Sequence, residues 1–283
     1  MRNDFAVFIL SHGRPDKVVT LKTLKRIGYT GKYYIVLDDE DKTLQEYKNT
    51  FGEDHILLFN KDKVEQSFDT MDNLSNKKVV VYARNVCFDF ARQLGLKYFL
   101  ELDDDYVRLE LRTEECGKLL TTELRNADSI FECMLDFLED SKALSVAFAQ
   151  GGDLIGGLGG TMWKVKLKRK AMNSFFCKTD RPFSFIGRIN EDVNTYTTLG
   201  SRGNLFFTIA NIDLIQAPTQ AHDGGMSDVY LDSGTYLKSF YTIMSMPSCV
   251  SIDMMGEQHR RIHHKVDWET CVPKIISGRF KNG

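Results

Sequence analysis

Short apolar runs alternate with segments of helical periodicity over the first hundred residues. Phe5–Leu10 is a continuous apolar run, which is typical of a strand buried on both faces. Residues 16–27 carry apolar side chains at helical spacing, between a start signal at Pro15 and a stop signal at Gly28. The same reasoning predicts strands at 33–37, 55–59 and 97–102 and helices at 42–51 and 78–94.

This alternation predicts an α/β fold with a mostly parallel central sheet and helices on both faces. The second half is less regular. It predicts helices at 123–138 and 191–199, a glycine-rich loop at 151–160, and strands at 143–149, 205–209 and 212–216. Because no repeat, linker or break in composition divides the chain, residues 1–283 are expected to form a single domain.

Composition narrows the class of protein. Hydrophobic residues make up 42% and charged residues 27% of the 283, which is typical of a globular chain with a large core. The balance of 37 basic and 39 acidic residues excludes binding of nucleic acid by bulk charge but allows a local basic patch. The six cysteines contain no C-x-x-C pair, so reduced thiols are favoured over a zinc site or a disulfide scaffold.

The lengths of the apolar runs also indicate where in the cell the protein is expected. The run at Phe5–Leu10 is shorter than the ~7–15 residues of a signal peptide's apolar region, and no run approaches the ~20 residues of a membrane span. We therefore expect a cytoplasmic protein with no membrane partner.

Polar residues follow three of the predicted strands directly: residues 11–14, 38–41 and 103–105. Ligands of open α/β sheets bind outside the carboxyl ends of the strands. The adjacent carboxylates of Asp103, Asp104 and Asp105 repel one another unless a cation or hydrogen-bond donors compensate them. Hard oxygen ligands of this kind suit Mg²⁺ or Mn²⁺.

Taken alone, the later polar residues allow ordinary interpretations. Glu191 and Asp192 at the start of a predicted helix can simply complement the helix dipole. On a strand, His263 and Lys265 would share one face, which favours His263 as a ligand, whereas His264 shares the other face with apolar neighbours and can be a core histidine. The basic residues between 164 and 181 can form a solvated helix face.

A set of motifs in a fixed order favours functional over ordinary interpretations of these polar residues. Ala83-Arg84-Asn85, followed by a strand running into Asp103-Asp104-Asp105, resembles the donor site of GT-A glycosyltransferases, whose D-x-D motif holds a divalent cation and the diphosphate of a nucleotide-sugar. Over nearly its full length the chain resembles the TET/JBP-associated glycosyltransferases of phages and bacteria. The stretches that carry this resemblance are Ile9-Leu-Ser-His-Gly-Arg-Pro15, Asn173-Ser-Phe-Phe-Cys177, Arg188-Ile-Asn-Glu-Asp-Val-Asn-Thr-Tyr196 and Arg261-Ile-His-His-Lys265.

The resemblance implies a GT-A-like, Rossmann-like fold with a donor-binding half at 1–105 and an acceptor and catalytic half at 106–283. It implies Asp192 as general base and Glu191 as an acceptor-binding residue. The implied donor-binding residues are Ser11, Arg14, Asp38, Arg84, Asp103, Asp104 and Lys265. The implied ligands of Mn²⁺ or Mg²⁺ are Asp105, Asp103, His263 and His264. The implied acceptor or DNA contacts are Lys168, Arg169, Lys170 and Arg188.

The resemblance further implies a metal-dependent hexosyltransferase that moves a sugar from a nucleotide-sugar, expected to be a UDP-sugar, to a hydroxymethylated pyrimidine in DNA. Two alternatives stay open: a GT-A enzyme with a protein or polysaccharide acceptor, and a nucleotidyltransferase on a related fold. The intact acidic pairs argue against a DNA-binding module without catalysis.

Overall fold

The computed structural model describes residues 1–73, 77–150, 157–159, 174–217, 227–255, 261–271, 275–278 and 281. Of residues 157, 227–235, 255 and 261 it describes the backbone only. The predicted glycine-rich loop therefore lies largely outside the described residues.

In this described part of the chain, nine strands form one sheet. They are β1 (Phe5–Leu10), β2 (Lys32–Asp38), β3 (Ile56–Phe59), β4 (Tyr98–Asp103), β5 (Tyr106–Glu115), β6 (Lys118–Glu123), β7 (Ser145–Gln150), β8 (Ser174–Lys178) and β9 (Phe206–Gln216).

The strand order is β3-β2-β1-β4-β8-β7-β9-β5-β6. The first four strands are parallel and follow the 3-2-1-4 order of Rossmann-type sheets. Beyond them, β8 is antiparallel to both β4 and β7, whereas β9 is parallel to β7. The parallel half brings the carboxyl ends of β1, β2 and β4 to one edge of the sheet.

Helices cover both faces of the sheet because neighbouring residues of a strand face opposite sides. Phe5, Val7 and Ile9 of β1 join one core cluster, whereas the alternate residues of that strand join the other. The helices of the described residues are Val19–Arg26, Leu44–Phe51, Lys61–Glu65, Val81–Gln93, Ala127–Ser141, Glu191–Ser201, Ser227–Ser245 and Trp268–Cys271, with 3-10 turns at Pro15–Lys17, Glu53–His55 and Gly157–Gly159.

The predicted fold class is confirmed, while several details differ from expectation, among them the helix expected at 123–138, which begins at Ala127 because Glu123 ends β6. The strands expected at 205–209 and 212–216 are one strand, β9, whose register against β7 shifts between Phe148 and Ala149 of β7. This bulge causes the apparent break in the pattern. The hairpin of β5 and β6, which follows the acidic triplet, was not predicted, because charged residues interrupt both strands and β6 is an exposed edge strand.

A second, two-stranded sheet pairs β10 (Val250–Met255) with β11 (Arg261–Val266) in antiparallel register. The helix Ser227–Ser245 packs against it, and Ser239 Oγ donates a hydrogen bond to the carbonyl of Ile262 (2.9 Å). No helix within the described ranges is both long enough and apolar enough to cross a bilayer.

Candidate active site

A cavity of about 410 Å³ opens where the carboxyl ends of β1, β2 and β4 meet. Its wall combines carboxylates, cationic side chains and apolar surface. The lining residues that bear charge or ligand chemistry are Ser11, His12, Arg14, Asp38, Lys61, Lys77, Lys78, Asp103 and Asp105. Five of the sequence-predicted donor and metal residues therefore share one pocket.

Each carboxylate of the acidic triplet has its own partner. Asp103 accepts a hydrogen bond from Arg84 Nη2 (3.0 Å), and Asp105 accepts one from Gln216 Nε2 (3.2 Å). Asp104 is fully buried and receives two hydrogen bonds from Arg14, at 2.8 and 2.6 Å, and one from Ser11. Asp103 and Asp105 line the cavity, whereas the described contacts of Asp104 fix the loop that follows β1.

The carboxylate of Asp38, at the end of β2, is also occupied by protein groups. His12 Nδ1 donates to it (2.6 Å), and the buried Lys61 ammonium lies 2.9 Å away. Burial would raise the pKa of Asp38, but the hydrogen bonds from His12 and Lys61 outweigh it and lower the pKa. Asp38 is therefore a fixed anion at the edge of the cavity.

Arg84 lies inside the protein and is 1% exposed, while its neighbour Ala83 lines the cavity. Its Nε donates to Glu191 Oε1 (2.9 Å), and its Nη1 lies 3.8 Å from a carboxylate oxygen of Glu101. With the contact to Asp103, one guanidinium thus faces three carboxylates. This placement does not suit the direct nucleotide contact that was expected for Arg84.

Glu191 and Asp192 open the helix Glu191–Ser201, and both are buried. Asn190 precedes them in the left-handed region (φ 56°), which asparagine tolerates, and its side chain donates to the Lys238 carbonyl and to Thr242. Gly187 has φ +81°, and a Cβ there would lie 2.5 Å from the side-chain Nδ2 of Asn194. The loop before the acid pair is therefore tightly held.

Burial is the main cause of the raised pKa values of Asp103 and Glu191. It raises the pKa of Asp103, helped by the charges of Asp105 and Asp192 and opposed by Arg84. It also raises the pKa of Glu191 to about 7, against Arg84 and with the help of Asp192. Arg84 contacts both Glu191 and Asp103, so the acid pair lies close to the acidic triplet.

The basic residues implied as DNA contacts divide into two groups. Arg188 is buried and lies 3.0 Å from both Glu65 and Asp72, so it holds the 186–190 loop against the 65–72 segment instead of facing solvent. Its expected contact with the acceptor does not fit this burial. Lys168, Arg169 and Lys170 lie outside the described residues.

The histidines implied as metal ligands lie on β11. His263 Nδ1 donates to the carbonyl of His264 (2.6 Å), and the exposed Lys265 pairs with Asp253 of β10 (2.8 Å). Across the described ranges no cluster of three or more His, Cys, Asp or Glu side chains has a metal-binding arrangement. The roles of His263, His264 and Lys265 at the donor site stay predictions.

Sequence reasoning missed three residues that line the cavity and one that contacts a lining residue. Lys61 lies two residues after the end of β3, so the rule that singled out the other strand ends could have found it. Gln216 ends β9 and reaches Asp105 from a strand more than a hundred residues away, and no local pattern indicates that contact. Lys77 and Lys78 precede the helix Val81–Gln93 and carry no distinctive spacing.

Comparison with known proteins gives the class and then the family. A family model described as TET-Associated Glycosyltransferase matches residues 5–225. The match covers most of the chain, so the protein is a glycosyltransferase. It belongs to the TET-associated glycosyltransferase family. A search of curated proteins finds no match to the chain.

Solved structures that are similar to this chain include those of two bacterial proteins. A crystal structure of Staphylococcus aureus TarS 1-349 is 12% identical, with a TM-score of 0.40 over 74% of this chain and 59% of that chain. This chain thus spans about three fifths of the TarS chain. Glucosyl-3-phosphoglycerate synthase from Mycobacterium tuberculosis, in complex with Mg²⁺ and UDP, is 8% identical with a TM-score of 0.46 over 93% and 87% of the two chains. The same synthase in complex with Mn²⁺, UDP and phosphoglyceric acid is 7% identical with a TM-score of 0.45 over 93% and 86%.

Proposed function

We propose that the enzyme transfers a sugar from a nucleotide-sugar, expected to be a UDP-sugar, to a hydroxymethylated pyrimidine base in DNA. The observation that carries the donor side is the cavity at the ends of β1, β2 and β4, which holds both anionic and cationic side chains. Its volume suits a small-molecule ligand, for which pockets of roughly 300–1,000 Å³ are usual. Family membership and the basic residues at 168–170 support the DNA acceptor.

The cationic wall suits a diphosphate. Arg14 can pair bidentately with phosphate oxygens, and Lys61, Lys77 and Lys78 offer point charges on the same wall. In the described contacts Arg14 is paired with Asp104, Lys61 with Asp38 and Lys77 with Glu65. Donor binding would therefore compete with these ion pairs or add to them.

Asp103 and Asp105 fit a divalent metal ion. Both line the cavity, and the hydrogen bonds from Arg84 to Asp103 and from Gln216 to Asp105 each use Oδ1 and not Oδ2. Carboxylate oxygens suit Mg²⁺ or Mn²⁺ bound together with substrate phosphates. Such an ion supplies Lewis-acid neutralisation of the charge on the nucleoside diphosphate leaving group.

Asp192 is the proposed general base. It is buried at a helix start and directly follows Glu191, which contacts the same guanidinium as Asp103 of the donor half. As the acceptor hydroxyl oxygen bonds to the anomeric carbon, its proton passes to Asp192 and the bond to the nucleoside diphosphate breaks. General-base catalysis of this kind typically contributes about 10²–10⁴-fold.

The assay is incubation with Mn²⁺, a panel of nucleotide-sugars and DNA containing hydroxymethylcytosine, followed by digestion and mass spectrometry of the nucleosides. We expect a hexose mass on the modified nucleoside and release of a nucleoside diphosphate. No mass gain with any donor would refute the DNA acceptor. Release of pyrophosphate would favour the nucleotidyltransferase alternative. Transfer of the sugar to protein or polysaccharide would favour a glycosyltransferase with that acceptor.

A salt titration tests the acceptor surface separately. The Lys168→Ala/Arg169→Ala/Lys170→Ala variant should bind DNA more weakly, with a log–log salt slope smaller by roughly 2–3, since each phosphate contact contributes about 0.9. The matched control removes three exposed lysines of the donor half, Lys22, Lys25 and Lys42. An unchanged slope in the first variant would exclude this basic segment as a DNA contact.

A further inference from the structure

The contacts of Arg84 join residues that are distant in the chain. It lies on the helix Val81–Gln93 and bonds to Asp103 at the end of β4 and to Glu191 at the start of another helix. Glu101 and Asp103 are two residues apart on β4, so both face this helix. One side chain therefore connects the donor-side and acceptor-side carboxylates of the site.

The guanidinium is held rigidly and away from the cavity. Its carbon lies 5.2 Å from the ring centre of Phe175 and 5.9 Å from that of Phe185. Nε donates a hydrogen bond to Glu191 and Nη2 donates one to Asp103. Nη1 is buried and donates no hydrogen bond to any described residue. A nucleotide in the cavity would meet Ala83 of this helix.

We propose that Arg84 is a positioning residue that holds Asp103 and Glu191 in fixed relative geometry from inside the protein, and not a ligand of the nucleotide. The proposal rests on the proposed function, in which Asp103 serves the donor and Glu191 the acceptor. A guanidinium suits this role because its planar fork directs separate N–H groups to two carboxylates. Lysine, as a point charge, cannot reproduce both contacts.

The first test compares steady-state kinetics of Arg84→Lys with the wild type. Because a displacement of 1 Å can cost about 10²-fold in rate, we expect kcat to fall about 100-fold, with the donor KM changed by less than about threefold. The control is Arg92→Lys on the same helix, whose side chain is half exposed and pairs with Asp89. It should leave kcat unchanged.

Opposite kinetics would overturn the proposal. A donor KM raised about tenfold or more with unchanged kcat is expected of a direct nucleotide ligand. An unchanged kcat and KM would remove any role in positioning. The Arg84→Lys/Glu191→Gln double variant adds a check. Because both changes disturb the contact between Arg84 and Glu191, the loss in kcat of the double variant should be smaller than the product of the two single losses. Multiplicative losses would contradict the shared contact.

A second measurement needs neither activity nor metal. In NMR spectra of the wild-type protein, the Arg84 Nε–H proton should exchange with solvent far more slowly than that of Arg92, and Glu191→Gln should shift its resonance. Exchange as fast as that of Arg92 would overturn the proposal even if no sugar acceptor is found. A slow, Glu191-sensitive proton in a wild-type protein without transfer would instead refute the proposed function alone.

Discussion

Glu101 offers a quantitative test of the electrostatics of the site. It lies on β4 with no exposed surface, and burial raises its pKa to about 8 in spite of Arg84. The ordinary value is 4.5, so the folded state binds a proton that the unfolded chain releases between these two values. The stabilisation from this group is complete below pH 4.5 and is lost as pH rises to about 8.

The size of the effect follows from that difference. At about 1.4 kcal/mol per pH unit, the stability lost across this window is on the order of 3–5 kcal/mol. Glu101→Gln keeps the shape and removes the ionisation, so this part of the pH dependence should disappear. The variant should match the wild type near pH 4.5 and exceed its stability at pH 8.5.

The assay is urea unfolding of metal-free protein at several pH values from 4.5 to 8.5. Neighbouring buried acids titrate in both proteins, so the difference between the two curves reports the ionisation of Glu101 together with its electrostatic effect on Asp103 and Glu191. The matched control is Glu46→Gln, an exposed glutamate on the helix Leu44–Phe51, which should keep the wild-type pH dependence. Parallel curves for Glu101→Gln and the wild type would refute the electrostatic reasoning.

Three further predictions concern the base, the metal site and the core. Asp192→Asn should reduce sugar transfer by about 10²–10⁴-fold while donor affinity, measured by calorimetry, is retained; turnover at the wild-type rate would exclude Asp192 as base. Gln216→Leu removes the hydrogen bond to Asp105 and should raise the Mn²⁺ concentration needed for half-maximal activity, and an unchanged requirement would separate Gln216 from the metal site. Phe131→Ala should cost about 3–5 kcal/mol in urea unfolding, whereas the exposed Phe240→Ala should cost less than about 0.5 kcal/mol; equal losses would contradict the assignment of the core.

Local patterns were sufficient to predict the parallel half of the fold. The continuous apolar run of β1 and the polar residues after β1, β2 and β4 are local signals, and they place the cavity at the correct sheet edge. The hairpin of β5 and β6 has no such signal, because charged residues such as Arg112 are balanced by partners on other strands, here Asp213 of β9 (2.6 Å). Its stability is a tertiary property.

The candidate site divides in the same way. The position of Asp103 and Asp105 after a buried strand is sufficient to predict that they can bind a divalent metal ion. Which cation faces which carboxylate depends on contacts between distant segments, and Arg84 and Glu191 are 107 residues apart. Sequence reasoning could therefore find Arg84 but not its burial or its direction.

The central claim is that the cavity at the ends of β1, β2 and β4 binds a nucleoside diphosphate together with a divalent metal ion. Its most direct test is calorimetric titration of UDP into the protein with and without Mn²⁺, for the wild type and for Asp105→Asn. We expect Mn²⁺ to strengthen UDP binding to the wild type and to have little effect on the variant. Equal strengthening in both proteins, or no binding of any nucleoside diphosphate to the wild type, would contradict the account.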